Sequence, residues 1–185
     1  MKIVILRHGK PVTPSLRKLN ASEFSDWVDE YNVAGLSPTS QPMKHVKKYA
    51  DICNAVVCSA LPRSIESAKA FSNKSIVLSD PIFNEAGLPV ANWQVLKLSP
   101  KIWAVVFRIL WLLGYSRNSE SFKEAKSRAK KAVDKLSELA QEYESVLFVG
   151  HGVYNRMLAN ELRRNGWLGP KNPGSSHWGF GVYER

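Results

Sequence analysis

Residues 1–10 read MKIVILRHGK. Lys2-Ile3-Val4-Ile5-Leu6 is a short, β-branched apolar run, the composition of a parallel strand buried on both faces. It breaks off at Arg7-His8-Gly9, which puts a fixed cation, an imidazole and a residue without a side chain at the carboxyl end of the strand. Ligands of open α/β sheets gather outside the carboxyl ends of the strands. Arg7 and His8 are therefore candidates for a site that handles an anion. The bland alternative is a polar surface turn, because a His-Gly pair met alone is a weak signal.

Working outward, similar apolar runs recur. Asn54–Ser59 reads as a second buried strand, Ser75–Leu78 as a third, short one, Ser145–Val149 as a fourth that again ends in Gly150-His151-Gly152, and Phe180–Tyr183 as a final strand. Helical patterns fill the gaps. One runs from an N-cap at Ser22 through Phe24, Trp27, Val28 and Tyr31 to a stop at Gly35. Pro42–Ala50 is a short basic helix carrying His45, and Pro62-Arg63 open a third, proline being favoured in a first turn. Ser119–Tyr143 and a segment through Met157, Leu158 and Leu162 to Gly166 complete the set. Strands alternating with helices predict an α/β fold: a three-layer α/β/α sandwich with a mostly parallel central sheet. No repeat or linker divides residues 1–185, so one domain is expected.

Residues 99–113, SPKIWAVVFRILWLL, are apolar nearly all round and broken only by Arg108. The run is shorter than the ~20 residues a membrane span requires. A hydrophobic helical insert over about residues 90–117, serving as lid, core or dimer helix, is favoured over a membrane anchor. Lys97, Lys101, Arg108 and Arg117 flank or interrupt it, which keeps a peripheral membrane contact as the weaker alternative.

Lys and Arg number 26 against 16 Asp and Glu, a formal charge of +10. That balance favours anionic partners, and no nucleic-acid motif accompanies it, so no nucleic acid is expected. Cys53 and Cys58 read as small apolar residues of a reducing compartment. With no visible secretory signal, a cytoplasmic location is expected. His45 and His177 have no motif around them and read as surface or locally bonded histidines. The four histidines are not spaced as metal ligands, so neither metal nor cofactor is expected.

A parallel sheet would bring distant strand ends together: Arg7 and His8 from the first, Ser59 and Arg63 from the second, His151 from the fourth. Two guanidiniums and two imidazoles around one point suit a tetrahedral oxyanion, since arginine donates in a planar fork matched to phosphate oxygens. Helix starts after Ser59 and at His151 would add main-chain N–H groups.

These residues carry a family resemblance. Leu6-Arg7-His8-Gly9, Ser59-Ala60-Leu61-Pro62-Arg63 and Val149-Gly150-His151-Gly152 resemble, in order, the motifs of the histidine phosphatase superfamily, the phosphoglycerate-mutase-like fold. The resemblance implies His8 as a nucleophile forming a phosphohistidine, and Arg7, Arg63 and His151 as holders of the phosphoryl oxygens. His151 is counted among the catalytic residues as well. It implies Glu85, in the loop between the second Arg and the second His, as proton donor. Glu66 and Asp80 are the nearby alternatives to Glu85. Arg17 and Lys18 are candidate substrate contacts, and insertions like that near residues 90–117 cover the site in relatives.

The sequence departs from the family's pattern in having Ala60 after Ser59, Ser67 four residues past Arg63, and no Trp-Glu-Gly after Glu85. The implied function is a phosphatase acting on a phosphorylated small molecule or a phosphoprotein. A phosphoglycerate-type mutase and a catalytically weak phosphate-binding module are the rivals. Substrate identity and oligomeric state are not encoded in any readable motif.

Overall fold

The computed structural model describes residues 1–15, 17–71 and 75–185. Five strands form one sheet among the described residues: β1 (Lys2–Arg7), β2 (Ala55–Ser59), β3 (Ile76–Asp80), β4 (Ser145–Gly150) and β5 (Phe180–Glu184). Their order is β3-β2-β4-β1-β5. The first four run parallel, and β5 closes the edge antiparallel to β1, with Leu6 opposite Phe180. β4 lies between β1 and β2, pairing Leu6 with Val149 on one side and Cys58 with Val149 on the other. The motif-bearing ends of β1, β2 and β4 are thereby neighbours.

The central strands β1, β2 and β4 read as continuous apolar runs because helices cover both faces. On one face Ile3, Ile5, Val57, Val146 and Phe148 pack with Ala125, Ala132 and Leu136 of α5 (Phe122–Tyr143) and Leu158 and Leu162 of α6 (Gly152–Arg164). On the other, Val4, Leu6, Val56, Cys58 and Leu147 pack with Val46 and Ala50 of α2 (Lys44–Asp51) and Ala68 of α3 (Pro62–Lys69). The result is the expected three-layer sandwich. A third cluster joins Phe24 of α1 (Ala21–Val33) to Trp103 and Phe107 of α4 (Pro100–Leu112). Among the described residues, no helix is long and apolar enough to cross a membrane.

The caps differ from the sequence expectation at one helix. α1 is capped by Asn20, not Ser22. The Asn20 side chain accepts from the Glu23 N–H and the Glu23 carboxylate accepts from the Asn20 N–H, both at 2.9 Å. This reciprocal box satisfies two donors at once, which Ser22 inside the first turn cannot do. α5 starts a little later than expected, at the Ser121–Glu124 box, and Pro62 is the first residue of α3. Ser99 stands at the cap position of α4 without a side-chain bond, and Gly114 takes φ +100° just beyond its end.

Candidate active site

His8 follows β1 and is 2% exposed. Its Nδ1 lies 2.6 Å from the Gly9 carbonyl oxygen. A carbonyl can only accept, so Nδ1 carries the proton and Nε2 keeps its lone pair. Gly9 is held at its other end too, its N–H donating to Ser67 Oγ at 2.9 Å, while that hydroxyl donates to the Arg63 carbonyl at 2.6 Å. A Cβ on Gly9 would stand 2.2 Å from the Trp178 ring and 2.6 Å from Leu36. Glycine is needed there for close approach rather than for an unusual φ.

His151 occupies the N-cap position of α6 and is fully buried. Its N–H donates to Asn155 Oδ1 at 3.0 Å, and Asn155 Nδ2 donates to the Leu6 carbonyl at 3.0 Å. Asn155 thus ties the end of β4 to the end of β1. The imidazole Nε2 of His151 is 2.6 Å from Ser59 Oγ, and its ring centroid is 5.0 Å from that of His8. Arg63, 2% exposed, reaches from α3 to donate to the Tyr31 carbonyl at 2.9 Å, its guanidinium 4.7 Å over the Tyr31 ring. Arg7 donates to the Ser175 carbonyl.

Three buried nitrogens in this cluster have no partner among the described residues: Arg7 Nε, Arg63 Nε and His151 Nδ1. Buried donors are normally satisfied, and a group of exceptions at one place calls for a polar occupant. The histidines are held neutral. Burial, then the nearby Arg63 and Arg7, push His8 well below its usual value. Burial, then His8 and the two arginines, do the same to His151. The cluster therefore combines fixed guanidinium charge with uncharged imidazoles.

Glu85 projects from the loop after β3 onto the first turn of α6. Its Oε1 accepts from the Tyr154 N–H at 2.8 Å and its Oε2 from the Val153 N–H at 3.1 Å. Two arginines tack this loop down by its main chain. Arg128 of α5 donates to the carbonyls of Ile82 and Asn84 at 2.7 and 2.9 Å, while pairing with Glu120. Arg108 of α4 donates to the carbonyls of Ala86 and Gly87 at 2.8 and 3.3 Å. The alternatives to Glu85 are engaged elsewhere: Glu66 accepts from the Leu36 N–H, and Asp80 pairs with Lys135 at 2.6 Å.

A pocket of about 650 Å³ opens beside the cluster. Arg7, Arg63, Glu85 and His177 are among its lining residues, Phe24, Trp27, Tyr31 and Leu88 form an apolar wall, and Lys10, Lys101 and Arg108 supply cations. Of the loop after β1, Lys10, Pro11 and Thr13 reach the pocket. Arg17 instead pairs with Glu23 at 3.3 Å on α1, and neither Arg17 nor Lys18 is among the residues lining the pocket.

His177 corrects the sequence reading. Expected as a surface or locally bonded histidine, it lines the pocket with its ring 5.6 Å from that of His8. Burial and the charges of Arg7 and Lys10 lower its pKa to about 4. The signal lay in the edge strand: once β5 pairs antiparallel with β1, residues just before Phe180 fall beside residues just after Leu6. Trp178 shares the placement, donating from its N–H to the Arg7 carbonyl at 3.1 Å. It takes φ +63°, a strained value for a bulky residue. His45, by contrast, is exposed on α2.

A model of the histidine phosphatase superfamily (branch 1) matches residues 3–172. No curated protein sequence matches this chain. Among solved structures, a mycobacterial glucosyl-3-phosphoglycerate phosphatase superposes with a TM-score of 0.62 at 19% identity, over 98% of this chain and 88% of its own. The alpha-ribazole phosphatase of Shigella flexneri gives 0.55 at 20% identity, covering 88% of this chain and 79% of its own. A phosphoserine phosphatase mutant from Entamoeba histolytica, in complex with phosphoserine, gives 0.55 at 16%, covering 88% and 80%. At these identities the likeness is one of fold.

Proposed function

Because the chain belongs to the histidine phosphatase superfamily, we propose that it hydrolyses a phosphomonoester through a phosphohistidine on His8. The observation that carries this reading is the trio of buried, unpartnered nitrogens on Arg7, Arg63 and His151 around a neutral imidazole. A phosphoryl group supplies the acceptor oxygens that the two guanidinium nitrogens lack, and that His151 Nδ1 lacks in the tautomer in which Ser59 Oγ donates to Nε2.

In the first half-reaction the Nε2 lone pair of His8 attacks phosphorus, a P–N bond forms and the P–O ester bond breaks. Glu85 gives its proton to the departing oxygen. In the second, water attacks phosphorus, the P–N bond breaks, Glu85 takes the water proton and inorganic phosphate leaves. Arg7, Arg63 and His151 hold the charge that builds on the phosphoryl oxygens. The Nδ1 bond to Gly9 favours this direction of attack, since it leaves Nε2 unprotonated.

A pocket of about 650 Å³ is of the size that takes small molecules. Its apolar wall and cationic rim suit a phosphorylated small molecule with a ring or hydrocarbon body better than a phosphoprotein segment. Incubation with a panel of phosphorylated compounds tests the reading. Free phosphate is expected from the wild type, with release reduced by about 10³-fold or more in His8→Ala and by about 10²-fold in Glu85→Gln. Full hydrolysis by His8→Ala would sink the mechanism. Transfer between positions of phosphoglycerate would make the chain a mutase, and tight phosphate binding without turnover a binding module.

A further inference from the structure

We propose that the outer face of α4 docks on an anionic lipid bilayer. The helix presents three faces. Trp103, Phe107 and Trp111 are buried in the interior. Lys101, Ala104 and Arg108 turn to the pocket. Ile102, Val105, Ile109, Leu112 and Leu113 remain 50, 59, 52, 55 and 79% exposed. At ~100° per residue these five fall within roughly 100° of arc, a continuous aliphatic stripe. The loop leading into the helix exposes Val95 and Leu96 as well, at 100 and 55%, while Trp93 packs back on Trp103 and Phe107. Scattered surface aliphatics need no explanation, but a stripe of this extent marks an interaction face.

Charge selects the occupant. From Ala86 to Ser119 the sequence holds Lys97, Lys101, Arg108 and Arg117 and no Asp or Glu. Lys97, Lys101 and Arg117 are exposed. Glu23 feels the charge of Lys97, but it is already engaged by the α1 cap and by Arg17. The next acid along the chain, Glu120, is bonded to Arg128. A second copy seated by a two-fold axis would set this base-only segment against itself, which like charges oppose. A bilayer rich in anionic lipid satisfies both features, taking the aliphatic stripe into the headgroup boundary and the exposed Lys97 and Arg117 onto phosphates. α4 has 13 residues, about 20 Å at ~1.5 Å per residue, so it would lie along the interface and not cross it. Docking of this kind is independent of the chemistry proposed above.

Sedimentation of the full chain with phosphatidylcholine vesicles, with and without phosphatidylglycerol, tests the assignment. Binding is expected to the anionic vesicles alone and to weaken as salt is raised. Ile109→Asp/Leu112→Asp is expected to keep its circular dichroism spectrum and lose binding by about tenfold or more. Lys97→Glu/Arg117→Glu, which leaves the stripe untouched, should weaken it too and serves if the aspartates disturb the fold. A chain that stays in the supernatant with both vesicle types overturns the proposal. So does binding indifferent to both double variants, or a dimer in light scattering that Ile109→Asp/Leu112→Asp disperses, which would give the face to a second copy.

Discussion

Gly9 has a larger part in the site than its missing side chain suggests. Its carbonyl fixes the proton of His8 on Nδ1, and its N–H is anchored to Ser67. Gly9→Ala would force a Cβ to within 2.2 Å of Trp178, and overpacking of this kind costs about 1–3 kcal/mol. A fall in the urea midpoint, together with reduced phosphate release, is the expected result; an unchanged midpoint would show that the Trp178 ring yields freely. Arg7, His8, Arg63 and His151 could be picked from the sequence because each ends or follows a strand or opens a helix, where order along the chain becomes position in space. The Ser67 tie was not legible, since it depends on a helix side chain meeting the turn beyond a strand. The cause of His8's neutrality was half legible. The sequence places Arg7 and Arg63 beside His8, and their charge lowers its pKa, but burial is the larger influence, and burial is a property of the assembled fold.

α4 was readable as a helix from Ser99, Pro100 and Gly114, and its apolar character from its composition. Its division into faces was not, because a run that is apolar nearly all round gives no phase to its periodicity. Arg108 marks the one break. Its guanidinium bonds the Ala86 and Gly87 carbonyls and lies 4.6 Å from the Trp111 ring centroid. Arg108→Met keeps the aliphatic stem and removes both bonds, freeing the loop that follows Glu85. The expected outcome is a kcat lower by about tenfold, as loss of positioning predicts, with the kcat effect exceeding the KM effect. A change confined to KM would mean that Arg108 touches substrate instead. The last strand was legible as a strand, but its antiparallel pairing was not. That pairing delivers His177 and Trp178 to the site.

Across the protein, three buried or half-buried histidines, His8, His151 and His177, are held below their usual pKa. The unfolded chain takes up protons near pH ~6.5 while the folded one resists. Stability from these groups is thus complete above that pH and is lost as pH falls toward the folded values, at up to ~1.4 kcal/mol per pH unit for each fully buried imidazole. Melting temperature is expected to be higher at pH 7.5 than at pH 5.5, conditions chosen to straddle that window; equal values would mean that the sites open to water. The sheet order itself was beyond sequence reading, since short apolar strands do not reveal which neighbour they choose. The three-layer class followed from the alternation of elements alone.

The polar ties around the pocket share a property with consequences for how such a protein can change. Arg108, Arg128, Trp103, Trp111 and Tyr115 all reach main-chain oxygens, those of Ala86, Gly87, Ile82, Asn84, Leu19, Glu120 and Val90. A carbonyl is the same acceptor whatever side chain its residue carries. Leu88, the partly buried wall residue between those carbonyls, can therefore exchange its side chain without loosening the frame that holds it. Selectivity can drift there while the phosphate end stays fixed, which makes this wall the natural starting point for altering the range of accepted esters by mutation.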